Sequence, residues 1–215
     1  MVGESSPPTS AIRRVILWHR RCSKKLPETL KTLQAEWALG APVRLMFQDG
    51  ARFGRINDVR HAWALEPIRP VCTAMLTREY TYAFAAVDVD TGELDTLILL
   101  SVNGECMQVF LDEVSTRHPV DHIVMVLDGA GWHSSQALNV PKNIKMLPLP
   151  PYAPKLNPVE HLWDELREEY VQNLAFDSLD ALQDQLLASL RAMETDHLTV
   201  QSIVRWPCIV EALFI

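Results

Sequence analysis

The sequence predicts an α/β fold in which a mixed β-sheet carries helices on its faces. Two strand-like runs, one mostly apolar and one apolar throughout, each end in an acid, at Asp49 and Asp128 respectively. Two further strand-like runs flank a segment with the Asp and Gly of a hairpin turn, 88–93. Amphipathic stretches over 106–117 and 158–194 have the spacing of helices that pack one face against a sheet.

The N-terminal half of the chain predicts helices followed by three strands. Apolar side chains at helical spacing between residues 11 and 40 predict one or two helices, with Pro27 starting the second. Short apolar runs bounded by polar and glycine-containing segments predict the strands. The strands are predicted over 43–49, 81–89 and 94–102, with an irregular stretch over 50–70.

The C-terminal half alternates helices and strands. The run 106–117 places its apolar residues on one helical face and predicts a crossover helix. The run 123–127 is apolar throughout, which predicts a strand buried on both faces in a parallel pair. The remaining elements are predicted as a strand over 144–149, a loop over 150–154, and helices over about 158–173 and 178–194.

Three strands, a helix, a parallel strand, a short strand and terminal helices predict the ribonuclease H-like fold, whose order of elements is β-β-β-α-β-α-β-α. In that order the first strand and the strand ending in Asp128 lie side by side, so their final acids meet at one edge of the sheet. We expect three regions: a polar leader with a basic helical segment over 1–40, the ribonuclease H-like domain over 41–195, and a C-terminal tail over 196–215 that packs on the core.

Composition limits the classes of protein that the chain can represent. Its 215 residues suffice for one domain with a substantial core, and none of its apolar runs approaches the roughly 20 residues that span a bilayer. The N-terminus lacks the pattern of a secretory signal. The four cysteines lie far apart, without the spacing of a zinc site or a disulfide framework. We expect a cytoplasmic protein with no membrane segment.

Charge is unevenly distributed along the chain. The formal net charge is −7, which is unfavourable for binding a polyanion such as DNA. Six basic residues are nevertheless concentrated between Arg13 and Lys25, while acids dominate after Glu160. We therefore expect any contact with phosphates to involve the N-terminal segment.

Three acids are the candidates for chemistry. Asp49 and Asp128 end apolar strands, and Glu160 lies in the first turn of a helix, 31 residues after Asp128 (160 − 128 − 1). Converging carboxylates on rigid elements are what hard divalent cations need, and such cations drive phosphoryl transfer. Glu160 has an equally good structural interpretation, in which Asn157 and Glu160 cap the helix. In that case Asp164, one turn later on the same face, is the reserve candidate.

Other polar residues near these acids have weaker claims. Arg52, Arg55 and Lys155 flank them and are candidates for contact with DNA phosphates. His133 is a candidate for contact with a substrate phosphate, although a histidine in this position more often packs or forms a structural hydrogen bond. Trp163 lies on an apolar helical stripe and is expected in the core. The acids of the hairpin are expected to be solvated; they are Asp88, Asp90, Glu93 and Asp95.

Three motifs in order resemble those of a known family. They are Phe47-Gln-Asp-Gly-Ala-Arg-Phe-Gly54, Leu127-Asp-Gly-Ala-Gly-Trp-His133 and Leu149-Pro-Pro-Tyr-Ala-Pro-Lys-Leu-Asn-Pro-Val-Glu-His-Leu-Trp163. Together they resemble bacterial insertion-sequence transposases related to the mariner group, in the DDE endonuclease superfamily. The resemblance covers about residues 41–175. Two positions depart from the family pattern: Gly50 replaces a frequent acid, and Gly129 replaces a frequent asparagine.

The resemblance implies a catalytic domain that hydrolyses phosphodiesters and transfers strands of insertion-sequence DNA. Asp49, Asp128 and Glu160 would then be its first, second and third metal-binding acids, holding two Mg²⁺ or Mn²⁺ ions. It also implies transposon-end and target DNA as partners, self-association, and a location on the bacterial nucleoid. Because relatives carry helix-turn-helix modules and only about 40 residues precede the first predicted strand, we expect that module as a separate part.

Two other hypotheses remain at this stage. The chain could be a non-catalytic remnant that acts as an assembly module with other transposase chains or a host protein. It could also be a nuclease of the same fold that cleaves DNA without joining it. The intact acids disfavour the first, and a strand-transfer assay separates the second.

Overall fold

A five-stranded mixed sheet forms the centre of the molecule, with strand order β3-β2-β1-β4-β5. The computed structural model describes residues 32, 37, 42–55, 65–67, 78–128, 138–149, 157–171, 174–207 and 209. The strands are β1 (Val43–Gly54), β2 (Tyr80–Asp88), β3 (Leu94–Leu99), β4 (His122–Leu127) and β5 (Ile144–Pro148). The helices are α1 (Gly104–Arg117), α2 (Val159–Glu165), α3 (Leu179–Thr195) and α4 (His197–Val204).

The pairing of the strands confirms the predicted fold class. β1, β2 and β3 form an antiparallel meander, whereas β1, β4 and β5 run parallel to one another. α1 makes the crossover that a parallel return from β3 to β4 requires. β1 is therefore central and pairs on both sides, which matches the ribonuclease H-like arrangement.

Alternation along the strands divides the core into two layers. On β1, Leu45, Phe47 and Phe53 belong to the layer that also contains the buried residues of α2, α3 and α4. Met46, on the opposite side, belongs to the layer packed beneath α1. Helices thus cover both faces of the sheet, which explains why the parallel strands are apolar throughout.

β1 is longer than the sequence predicted. We expected it to end at Asp49, but it continues to Gly54 because β2 pairs with it in unbroken antiparallel register from Met46↔Asp88 to Gly54↔Tyr80. Residues 50–54, predicted as irregular, are consequently strand. Asp49 therefore lies within β1, two residues beyond the last pair with β4, Phe47↔Val126, and not at the end of the strand.

Two helical features were also missed. α2 gives way after Glu165 to a π-helical turn, Leu166–Tyr170, where one continuous helix was predicted. α4 lies within the predicted C-terminal tail; Asp196 caps it by accepting a hydrogen bond from the Thr199 amide, and Val200 and Val204 bury its inner face. The boundaries proposed for the three regions remain predictions.

The end of the sheet remote from Asp49 is held by a partly buried ionic network. Arg44 at the start of β1 pairs with Asp88, Glu93 and Asp121. His118 lies 2.7 Å from Asp95, and this hydrogen bond raises the pKa of the imidazole above its ordinary value. The prediction of a solvated acidic hairpin was therefore wrong for Asp88 and Asp95, which are 4% and 5% exposed. Their charges are neutralised by residues distant in sequence.

Several predictions lie outside the described residues. The predicted N-terminal helices lie almost entirely outside them. Trp37 is described, and its ring stacks on that of His122 at 4.6 Å between centroids. The loop 150–154 and the glycines after Asp128 also lie outside. Within the described ranges, no helix has the length and hydropathy needed to cross a membrane.

Candidate active site

Two acids lie at the same level on neighbouring strands. The parallel pairing of β1 with β4 ends at Phe47↔Val126, and Asp49 and Asp128 each lie two residues further along. Both are half-buried. Since Phe47 and Val126 face the same core layer, the alternation carries both acids toward the face covered by α2.

Asp49 has the most perturbed environment of these acids. Burial, together with the neighbouring charges of Glu160 and, to a smaller extent, Asp128, raises the pKa of its carboxyl to about 7. Hydrogen bonds from the Gly50 amide and the Trp163 indole act in the opposite direction and favour the carboxylate. The structure thus brings all three predicted acids within electrostatic reach of one another.

Glu160 reaches this group from the first turn of α2. Burial raises the pKa of its carboxyl, the charge of Arg167 lowers it, and the charges of Asp164 and Asp128 raise it. It is half-buried, and its backbone amide donates to the Asn157 carbonyl at 3.2 Å. Its charge in turn raises the pKa of Asp49, so the two carboxyls lie within electrostatic reach of each other.

The capping interpretation of this helix start is correct for Asn157 but not for Glu160. Asn157 Oδ1 accepts a hydrogen bond from the Val159 amide at 3.2 Å, although Pro158 occupies the formal N-cap position. In the described part of the chain, the Glu160 carboxylate accepts no hydrogen bond from the Asn157 amide, as a capping box would require. Its placement has to be explained by the acids that it faces.

Asp164, the reserve candidate, lies in a different environment. Its side chain is exposed and pairs with Arg167 at 3.8 Å. The acid of α2 whose charge raises the pKa of Asp49 is Glu160. The geometry therefore favours Glu160 as the third member of the site.

Trp163 is buried as predicted, but it also makes a polar contact that the sequence did not predict. It is 2% exposed, and its ring packs edge-on against Phe53 at 6.0 Å between centroids. Its indole Nε1 donates to Asp49 Oδ2 at 3.0 Å. The contact joins residues 114 positions apart, so no local signal in the sequence could have indicated it.

The predicted phosphate-contacting residues have different outcomes. Arg52 is exposed, with its guanidinium 4.5 Å above the Tyr80 ring, but strand alternation places it on the face of β1 opposite to Asp49. Arg55 is engaged in the structure by Glu79 and by two backbone carbonyls near the start of α3. His133 and Lys155 lie outside the described residues. These DNA contacts remain predictions.

The donor chemistry of the three acids fits hard divalent cations. Carboxylate oxygens are the ligands that Mg²⁺ and Mn²⁺ prefer, and the raised pKa of Asp49 reflects clustered negative charge that a cation would neutralise. Among the described residues, no group of three or more His, Cys, Asp or Glu side chains is already close enough to hold an ion. A cation would therefore draw the carboxylates closer together.

Comparison with known proteins identifies a matching family and a relative. The model of the family described as "DDE superfamily endonuclease" matches residues 44–183, which include all three acids. The chain is also 35% identical over 127 residues to the uncharacterized protein y4pE/y4sA of Sinorhizobium fredii; the match covers 58% of this chain and 93% of that protein.

Solved structures with the same fold include complexes of the Mos1 mariner transposase. The paired-end complex with Mn superposes with a TM-score of 0.56 at 17% identity, covering 100% of this chain and 67% of that one. The corresponding complex with Mg gives 0.56 at 16% identity, covering 99% and 66%. The chain thus spans about two thirds of the Mos1 chain. At this identity the similarity establishes the ribonuclease H-like fold alone.

Proposed function

Because the chain belongs to the DDE superfamily of endonucleases, we propose that it is the catalytic domain of a transposase. In this proposal it hydrolyses phosphodiester bonds at transposon ends and joins the released strands to target DNA. The activity depends on Mg²⁺ or Mn²⁺, with two ions held by Asp49, Asp128 and Glu160.

The observation that carries the proposal is the environment of Asp49. Burial and the charge of Glu160 raise the pKa of this carboxyl to about 7, although hydrogen bonds from Gly50 and Trp163 favour the carboxylate. An acid placed in this way destabilises a fold that has no cation to neutralise it. Strong perturbation by burial together with neighbouring charges is typical of functional sites.

The residues of the chain have separable roles in this chemistry. Bound divalent cations would supply an activated water or DNA 3′-hydroxyl and would stabilise the leaving oxygen in an in-line displacement. Asp49 and Asp128 provide acids from rigid neighbouring strands, and Glu160 provides a third from α2. Because the pKa of Asp49 is about 7, this carboxyl has to release a proton at neutral pH when it becomes a ligand.

The partners follow from the reaction. The substrates are transposon-end and target DNA, consistent with similar folds solved as transposase complexes with a transposon end. Sequence-specific binding comes from a separate helix-turn-helix part, and strand transfer from a homo-oligomer that holds two ends together. The site of action is the cytoplasm, on the bacterial nucleoid.

Metal-dependent cleavage of DNA tests the proposal. The purified full chain is incubated with a supercoiled plasmid that carries the gene and its native flanking DNA, with Mg²⁺, Mn²⁺ or EDTA. We expect nicking only with metal, and a loss of at least roughly 100-fold in Asp49→Asn, Asp128→Asn and Glu160→Gln, since even indirect supports of a metal site cost 10- to 100-fold. Circular dichroism should remain native in each variant.

The controls separate the alternatives. Asp184→Asn removes an exposed acid of α3 and should retain full activity. Asp164→Asn should also be active; its inactivity together with an active Glu160→Gln variant would transfer the third role to Asp164. A folded parent that cleaves nothing with either metal would support the assembly-module alternative. Cleavage without joining in a strand-transfer assay would indicate a nuclease instead.

A further inference from the structure

The helix that carries Glu160 is joined to the strand that carries Asp49 at two points. The first point is the buried side chain of Asn157, which is 2% exposed. Its Nδ2 donates to the backbone carbonyl of Gln48 at 2.8 Å, while its Oδ1 accepts from the Val159 amide at 3.2 Å. One amide group therefore links the start of α2 to the residue of β1 that precedes Asp49.

The second point is the indole of Trp163, whose Nε1 donates to Asp49 Oδ2 at 3.0 Å. The ring is held by its own packing, since it is almost completely buried and lies edge-on to Phe53. A donor fixed in this way restricts the rotation of the Asp49 carboxylate. With the Gly50 amide it occupies part of the acceptor capacity of the carboxylate, whose remaining lone pairs are available to other partners.

Glu160 lies midway between these two points, three residues after Asn157 and three before Trp163. When both carboxyls are ionised, Asp49 and Glu160 repel each other, as the effect of the Glu160 charge on Asp49 indicates. Without a restraint, this repulsion would move α2 away from β1. The two hydrogen bonds oppose that movement on either side of the repelling acid.

We propose that Asn157 and Trp163 are positioning residues that hold Glu160 in place against Asp49. This inference rests on the proposed function, because it assigns the restraint to a metal site formed by those acids. Hydrogen bonds to metal-ligating carboxylates set their orientation, and their loss typically weakens metal binding by about 10- to 100-fold. The two residues act through Asp49 and Glu160 without contacting the reacting atoms.

Mn²⁺ affinity of the full chain, measured by electron paramagnetic resonance without DNA, tests this role. Trp163→Phe keeps a buried aromatic ring and removes only the donor; we expect its affinity to fall about 10- to 100-fold with a native circular dichroism spectrum. Trp206→Phe is the matched control, because it loses an indole hydrogen bond of 3.1 Å to the Ile203 carbonyl. It should bind Mn²⁺ like the parent.

Asn157→Ala and a double-mutant cycle complete the test. Asn157→Ala should also weaken Mn²⁺ binding, while Asn143→Ala, which removes a half-buried amide remote from the acids, should not. In metal-free protein, the stability effect of Trp163→Phe should differ between backgrounds with Asp49 and with Asp49→Asn, because the cycle isolates their contact. Additive effects would exclude the hydrogen bond, whatever the metal data show.

Mn²⁺ binding by the parent and by Trp163→Phe separates failure of the proposed function from failure of the positioning role. A parent that binds no Mn²⁺ overturns the proposed function and the positioning role together. If the parent binds Mn²⁺ and folded Trp163→Phe binds it equally well, only the positioning inference is overturned.

Discussion

Asp49 is a side chain whose burial and neighbouring charges both disfavour its ionised form. It is a partly buried acid beside two others, and the hydrogen bonds from Gly50 and Trp163 offset only part of the cost. Such a residue is costly to the metal-free fold, because charge taken out of water is destabilising without a partner of opposite sign. We infer that the site is arranged for a bound cation at the expense of stability in its absence.

The pKa of Asp49 predicts how the stability of the metal-free protein changes with pH. In the unfolded chain this carboxyl ionises near 3.8, whereas in the folded protein it stays protonated to about 7. Stability should therefore fall as pH rises from about 4 to about 7 and then level off, by at most roughly 4 kcal/mol before solvent screening. Asp49→Asn should remove this slope in urea unfolding with EDTA.

The stabilities of Asp49→Asn and the parent should be compared at both ends of this pH range. At pH 8 Asp49→Asn should be the more stable protein, and near pH 4 the two should be equal. Asp184→Asn, which alters an exposed acid, should retain the slope of the parent. An Asp49→Asn variant less stable than the parent at pH 8 would contradict our interpretation of this carboxyl.

At the residue scale, the sequence indicated the candidate acids but not the hydrogen bonds of Asn157 and Trp163 beside them. Asp49 and Asp128 could be selected because a charged residue after an apolar strand is conspicuous. The hydrogen bonds of Asn157 and Trp163 could not be predicted, since they reach 109 and 114 positions back along the chain. Only the folded sheet brings those partners together.

At the element scale, the turn between β2 and β3 packs directly against α4. Gly92 has a φ of +74°, and a Cβ added there would overlap the His197 carbonyl oxygen and lie 2.8 Å from the Gln201 backbone nitrogen. Gln201 Nε2 also donates to the Asp90 carbonyl. The turn and the helix are therefore fitted to each other closely.

This fit predicts different outcomes for two glycine substitutions. Gly92→Ala should lower the free energy of unfolding by at least roughly 2 kcal/mol, from the left-handed backbone and from overlap with α4. Gly50→Ala should change it by less than about 1 kcal/mol, because the nearest atom would be 3.8 Å away. Urea unfolding measures both, and equal effects would show that the contact with α4 is not limiting.

The elements that the sequence failed to predict had weak or non-local signals. The extension of β1 to Gly54 depends on pairing with β2, which begins 26 residues later (80 − 54). α4 had a local signal that was overlooked: Asp196 as a cap, with Val200 and Val204 four residues apart. The adjacency of β1 and β4 was predictable from the order of elements in the ribonuclease H-like fold, in which a helix provides the long crossover that parallel strands require.

At the scale of the whole molecule, the charge distribution predicts weak and salt-sensitive binding to DNA. The chain carries a net charge of −7, and its main basic cluster lies between Arg13 and Lys25. If those side chains neutralise about four to six phosphates, log affinity should fall with log salt at about −0.9 per phosphate contacted. Fluorescence anisotropy with a labelled duplex at several salt concentrations measures this slope.

A charge-reversal pair locates the binding surface. Arg20→Glu with Arg21→Glu should flatten the salt dependence, whereas Arg191→Glu on the exposed surface of α3 should leave it unchanged. The opposite pattern would place the DNA on the helical face of the domain. That result would require a different path for the substrate toward Asp49.

We propose that Asp49, Asp128 and Glu160 form one site for divalent cations. Anomalous diffraction from a crystal of the full chain soaked in Mn²⁺ tests it most directly, because it locates the ion without relying on activity. We predict density bounded by all three carboxylates, at about 2.0–2.3 Å from their oxygens. Density elsewhere, for example among Asp88, Glu93 and Asp121, or its absence from a well-ordered site, would contradict the claim.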